Sequence, residues 1–193
     1  MNSNNTEHDD NDLIDDLRFI RADPVVDRAS IVQINIEYME WVASGIEAVC
    51  GISMLVISGQ SIADYVENAI DKVCSEKPPR GVFYLVYKNA ELVGMVGLRS
   101  LREGVAEIKR LYVRETFRGQ HLGEQFLRKV MTDAKIFGYL QVRLDTAPFM
   151  VAAQRLYQSL GFVDRSPYDG TEVPEVLHSQ WRFMELDLQC VVS

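Results

Sequence analysis

Arg118-Gly119-Gln120-His121-Leu122-Gly123 is the stretch on which the fold turns. It follows an apolar, strand-like run, Val105-Ala106-Glu107-Ile108-Lys109-Arg110-Leu111-Tyr112-Val113. It enters a segment, His121 to Phe137, in which Leu122, Phe126, Leu127, Val130, Met131 and Ala134 recur at helical spacing. A helix N-terminus leaves about four N–H groups without internal partners, and the dipole adds about half a positive charge. Glycines at such an entry let the backbone approach an anion, and Arg118 adds a permanent charge suited to phosphate. By itself the stretch reads equally as an anion-binding turn or as a solvated turn that happens to hold Arg and Gly.

Upstream, Val82 to Tyr87 and Leu92 to Leu98 read as strands joined by a hairpin turn at Asn89-Ala90, and a further turn at Glu103-Gly104 leads into Val105–Val113. Before this meander, Leu17 to Arg21 alternates as a first strand. A helix is expected from Asp27 to Gly51 on Ile31, Ile34, Tyr38, Trp41, Val42 and Ile46, and a second from Ser61 to Val73. Downstream, Gly138 stops the helix, Gln141 to Asp145 is a strand, and Pro148 to Gly161 is a helix with proline at its favoured first position. Phe162-Val163 and Trp181 to Leu188 close with two strands around a long loop, Ser166 to Ser179. The expected fold class is α/β (α+β), a mixed, mostly antiparallel sheet of about seven strands with helices on both faces.

The net charge of −8 is concentrated at one end. Six of the 28 acidic residues fall within residues 1 to 16, an Asn/Asp-rich stretch expected to be a disordered acidic tail. Residues 17 to 193, expected to form a single domain, then hold 22 acids against 20 bases, without the basic stripe that nucleic-acid binding wants. Three scattered cysteines, Cys50, Cys74 and Cys190, indicate neither a disulfide framework nor a zinc site, and no metal is expected. No signal-like N-terminus and no apolar run long enough for a bilayer are present, so the expectation is a cytoplasmic protein with no membrane partner.

The motifs Glu107-Ile-Lys-Arg-Leu-Tyr-Val113, Arg118-Gly-Gln-His-Leu-Gly123 and Leu156-Tyr157-Gln-Ser-Leu-Gly161-Phe162, in this order, resemble the GNAT superfamily of N-acetyltransferases. The resemblance covers residues 82 to 188, and Leu17 to Val73 fits the family's variable N-terminal part. It implies acetyl-CoA as co-substrate, with the pantetheine arm along the backbone of Leu111, Tyr112 and Val113. The pyrophosphate would then lie on Arg118, Gly119, Gln120, His121, Leu122, Gly123 and Glu124. His121 stands where the family motif has its first glycine, and its amide still serves if the turn needs no positive φ there. Tyr157 matches a tyrosine that protonates the departing thiolate, and Glu107 a strand position that serves some members as general base. Core packing is the competing reading for Tyr157, and a cross-sheet pair with Lys109 or Arg143 for Glu107. Met150 stands in a region where many relatives carry Asn, and it cannot supply an amide hydrogen bond.

The same resemblance draws the acceptor pocket from the first helices and the last loop, which offer Tyr38, Trp41 and Tyr168 with Asp169, Glu172, Glu175 and His178. Aromatics with carboxylates suit a cationic amine, whereas helical-stripe packing and solvated loop acids are the plainer readings. The expected activity is direct acetyl transfer to a primary amine, small-molecule or peptide, in a ternary complex, with a homodimer as one possible assembly. The alternative is a non-catalytic acyl-CoA sensor. A P-loop reading fails because no Lys-Ser/Thr follows the glycines.

Overall fold

The computed structural model describes residues 11–14 and 16–189. Eight strands form one sheet in the order β1-β2-β3-β4-β5-β6-β8-β7. They are β1 (Asn11–Ile14), β2 (Leu17–Arg21), β3 (Val82–Lys88), β4 (Glu91–Arg102), β5 (Val105–Val113), β6 (Gln141–Thr146), β7 (Val163–Arg165) and β8 (Arg182–Asp187). All neighbours pair antiparallel except β5 and β6, which run parallel. The helices are α1 (Arg28–Cys50), α2 (Met54–Ser58), α3 (Ile62–Val73), α4 (Leu122–Ile136) and α5 (Val151–Ser159).

The expected elements are present, with three corrections. Asn11–Ile14, inside the stretch expected to be disordered, pairs antiparallel with β2 and raises the strand count to eight. The remainder of that tail, residues 1–10 and 15, lies outside the described residues, as does Cys190. The five-residue α2 sits where only an apolar run was legible, capped by Ser53, whose side chain accepts from Leu55 N. Helix α5 begins at Val151 rather than Pro148, which falls in the turn before it.

Local chemistry explains where elements stop. Asn89 and Ala90 both take positive φ, 49° and 67°, as the tight β3–β4 turn requires. Helix α1 ends at Gly51 in the left-handed region, and Ser61 caps α3 by accepting from Asp64 N. The inward face expected for α4 is buried without exception, on a core that includes Val93, Val96, Ala106 and Val142. Gly94 lets that helix settle: a Cβ there would meet the Phe126 ring and the Tyr112 carbonyl oxygen, each at 2.4 Å. On the opposite face, Ile31, Ile34, Val66 and Ile70 from α1 and α3 bury Phe83, Leu85 and Met95.

What positions the site is a split in the sheet. The parallel ladder of β5 and β6 comprises Val105↔Gln141, Ala106↔Val142 and Glu107↔Arg143, and goes no further. From Ile108 to Val113 the β6-facing edge of β5 is unpaired. On the other side β5 is irregular: Lys109 pairs with Gly97 and Tyr112 with Met95, so Arg110 and Leu111 form a bulge. Arg110 there holds a φ of 54°.

Candidate active site

The loop after β5 makes one 3-10 turn, Glu115–Phe117, and reaches α4 through Arg118 to His121. Among the described residues, the amides of Gly119, Gln120, His121, Leu122 and Gly123 donate to nothing. Only from Glu124 and Gln125 onward do amides find an acceptor, His121 O, at 3.2 and 3.3 Å. Unpaired donors at a helix start form an anion cradle. The turn uses positive φ at Gly119 (79°) and also at His121 (59°), so the condition set on the His121 amide, a turn without positive φ there, is not met. Histidine is among the residues that tolerate this region, at a cost of about 1–2 kcal/mol.

A cavity of about 570 Å³ runs from this turn along the open edge of β5. Every residue expected to hold the cofactor lines it except Gln120, whose side chain accepts from Lys88 Nζ at 3.1 Å. The far wall is Phe149 to Ala153 and Leu156 at the start of α5, a stretch the sequence singled out only for the amide that Met150 lacks. Met150 stands at that helix's N-cap with no side-chain cap hydrogen bond, so the missing amide is not replaced locally. Trp41, expected on the acceptor side, lies on this cavity instead. The Arg118 guanidinium is stacked over its ring at 5.0 Å and holds Val113 O through Nε at 3.2 Å.

Tyr157, on α5, is buried and lies against Phe162 at 5.8 Å between ring centroids. Burial raises its pKa, and the neighbouring Tyr38 and Asp145 raise it further. Among the described residues its hydroxyl has no hydrogen-bond partner. Tyr157 lines neither the cavity of about 570 Å³ nor a second, smaller one, but it is close enough to Tyr38 and Asp145 of the latter to feel their charge.

That second cavity, about 130 Å³, is walled by Val42, Ile46, Met54, Ile57 and Leu177 and carries Tyr38, Asp145, Trp181, Lys109, Arg110 and Glu172. It shares Tyr65, Lys109, Arg110 and Glu172 with a wider cleft of about 610 Å³ that also holds Lys72 and Arg99. Asp145 sits two residues beyond the last β5–β6 pair and accepts from Trp181 Nε1 at 2.9 Å. It was missed because one acid at a strand end carries no motif.

Glu107 does not face either cavity. Fully buried, it takes Arg99 Nε on one oxygen at 2.5 Å and the Tyr168 hydroxyl on the other at 2.6 Å, with Lys109 Nζ at 3.7 Å. Of the two partners that sequence reasoning named, Lys109 is in ion-pair range and Arg143 is the register partner on β6, while Arg99, directly opposite on β4, was missed. The Arg143 side chain turns to Gln141 and Glu185.

Tyr168, expected to touch substrate, is likewise buried, against Phe183 and below Arg143 and Arg165. Arg99 also donates to Gly170 O at 2.6 Å, so the Glu107 cluster ties the last loop to the sheet.

The acid-lined acceptor pocket expected from the loop is also corrected. Asp169 and Glu175 line neither cavity, and His178 holds Val173 O. Glu172 does line both, but it is ringed by Lys72 at 2.7 Å, Lys109 at 2.9 Å and Arg99 at 3.4 Å. Burial pushes its pKa up, but Lys109, Lys72 and Arg99 outweigh that and hold it down to about 2.

A sheet opened between two parallel strands, with free strand edge along the opening and unpaired amides at its mouth, is an arrangement suited to extended, anion-headed ligands. The comparisons agree. A family described as the acetyltransferase (GNAT) family matches residues 57–162. Over 121 residues the chain is 31% identical to an uncharacterized N-acetyltransferase of Schizosaccharomyces pombe, covering 62% of this chain and 72% of that one. Over 87 residues it is 37% identical to N-acetylaspartate synthetase of Homo sapiens, covering 45% of this chain but only 29% of the human protein. Its fold resembles that of an acetyltransferase from Streptococcus agalactiae, with a TM-score of 0.66 at 17% identity over 90% of this chain and 99% of the other. The PaiA N-acetyltransferase of Thermoplasma acidophilum, solved with coenzyme A, gives 0.63 at 18% identity over 89% and 98%. The chain belongs to the GNAT acetyltransferase family, a family of acyl-CoA-dependent acetyltransferases.

Proposed function

We propose that this protein transfers an acetyl group from acetyl-CoA directly to a primary amine held in the same ternary complex, in a reducing, cytoplasmic setting. The observation that carries the reading is the continuity of the cavity of about 570 Å³ from the unpaired amides of residues 119–123 to the open edge of β5. Its chemistry fits coenzyme A: donors and Arg118 for the pyrophosphate, an apolar wall from α5, and strand edge for the amides of the arm. When bound, acetyl-CoA supplies the acyl group as a thioester. Cys50 and Cys74 are free thiols, which supports the reducing compartment.

The chain's own groups divide the proton work. Asp145, in the smaller cavity, accepts the proton that the amine must lose, directly or through water. As the new C–N bond forms and the C–S bond breaks, the departing sulfur takes the Tyr157 proton. A phenol is protonated at neutral pH, and burial keeps this one so while making its proton harder to give up. Glu107, with both oxygens engaged, is a positioning residue for Arg99, Tyr168 and the last loop. The test is thiol release from acetyl-CoA over a panel of amines, beside calorimetric CoA binding. Arg118→Glu should weaken CoA binding about tenfold or more, and an unchanged affinity would overturn the cofactor assignment. A CoA-binding protein with no turnover on any amine would instead be a sensor.

A further inference from the structure

Four cations face the acceptor cleft: Lys72, Arg99, Lys109 and Arg110. The first three share Glu172, and Arg99 and Lys109 also meet Glu107. Arg110 is different. No carboxylate among the described residues lies within ion-pair distance of it, and its one polar partner is neutral: NH1 donates to Asn35 Oδ1 at 2.7 Å. That asparagine is 1% exposed, and its Nδ2 donates to Ile31 O at 2.8 Å, which fixes the oxygen toward the arginine. The Tyr38 ring packs against the guanidinium, 5.9 Å from the ring centroid to Cζ. The result is a guanidinium held in place from one side, with its other N–H groups still open.

Backbone strain aims it there. In a regular strand Lys109 and Arg110 would point to opposite faces. The bulge, with Arg110 at a φ of 54°, brings both onto the same two cavities. A non-glycine residue keeps such a conformation only where the surroundings over-determine it. Asp145, held by Trp181, lies in the same cavity of about 130 Å³ together with the Lys109–Glu172 ion pair. Beside that mutually neutralised pair, Arg110 and Asp145 offer a cation and an anion next to an apolar wall of Val42, Ile46, Met54 and Ile57. A zwitterion with an apolar side chain matches that arrangement, whereas a simple polyamine would leave Arg110 facing positive charge.

Resting on the acyl-transfer reading, we infer that the acceptor is an α-amino acid whose carboxylate docks on Arg110 while its amine faces Asp145. An open guanidinium fork accepts a carboxylate through two parallel hydrogen bonds. Loss of that carboxylate leaves the arginine against substrate with Asn35 as a neutral partner and no anion, so discrimination between acid and amide is large.

The experiment compares L-leucine, L-methionine and L-aspartate, each beside its α-carboxamide, as acceptors with acetyl-CoA. A preference for the acid of about 100-fold in kcat/KM is expected for at least one pair, falling below about fivefold in Arg110→Gln. A wild-type ratio near one for all three pairs would overturn the inference without any variant, so a folding failure of Arg110→Gln does not rescue it. A ratio unchanged in a folded Arg110→Gln would overturn it too. In parallel, binding of N-acetyl-L-leucine, N-acetyl-L-methionine and N-acetyl-L-aspartate and of their amides is measured by calorimetry in the presence of CoA. Acid-selective binding without turnover would sink the enzymatic reading and leave carboxylate recognition standing. Turnover of amides and amines with no acid preference would do the reverse.

Discussion

At the residue scale, the decisive side chains differ in what a neighbour has done to them. Tyr157 is a buried phenol without a hydrogen-bond partner among the described residues, and burial has raised its pKa. Tyr157→Phe keeps the ring packing and removes only the proton. We expect kcat to fall about 10²-fold or more, as loss of a general acid does, with CoA affinity within twofold by calorimetry. The opposite pattern would make the residue core packing. His121 illustrates local strain: its Cβ occupies a left-handed position that glycine fills at lower cost. His121→Gly is expected to stabilise the protein by about 1 kcal/mol in thermal unfolding and to retain CoA binding. A loss of CoA affinity would show that the imidazole itself contributes to the site.

At the element scale, the β4–β5–β6 arrangement decides which acid can act. Register sets Glu107 opposite Arg99 and turns it into the buried hub that fastens the last loop. Glu107→Gln leaves Arg99 without its buried anion, so a stability loss of about 3 kcal/mol and a raised KM for the acceptor are expected. Its kcat should fall by far less than the ~10²-fold that removal of a general base produces. Loss of the acidic limb of the pH–rate profile in this variant, together with that larger fall, would restore Glu107 as the base. The packing of α4 on β4 gives a sharper structural test. Gly94→Ala places a Cβ against both the Phe126 ring and the Tyr112 carbonyl oxygen. A cost of about 1–3 kcal/mol in chemical denaturation is expected, because neither neighbour is free to withdraw.

At the scale of the whole molecule, ion pairs are spread over the fold, and the cleft holds a cluster in which three cations share one carboxylate. Glu172 is held at about 2 by Lys109, Lys72 and Arg99 against the opposing effect of burial. Its folded pKa is depressed below the ordinary value of 4.5, so its contribution is complete above that pH and is lost as pH falls toward 2. Glu172→Gln is expected to lower the melting temperature at neutral pH and to flatten its decline between pH 4.5 and 2. A variant that kept the full acid limb would show that the three cations do not couple to this carboxylate. Among the described residues no helix is long and apolar enough to cross a membrane, and the apolar content is used in the two packed layers flanking the sheet.

The sequence by itself determined the order of the elements from Leu17 onward except the short α2, the inward face of α4, the turns at Asn89-Ala90 and Gly51, and the stretch whose amides stay unpaired at the start of α4. Those are consequences of period, capping and backbone freedom, which act between residues close in the chain. Only the tertiary structure decided the rest. Sheet register, which joins Arg99 to Glu107 across an eight-residue separation, buried that acid and engaged both of its oxygens. The bulge at Arg110, invisible in a run that reads as regular strand, turned a cation into the acceptor cleft. Helix packing moved Trp41 to the cofactor cavity and the opening of β5 from β6 brought Asp145 and Tyr157 into range of one another. Each of these depends on which distant segments meet, and no local pattern encodes that.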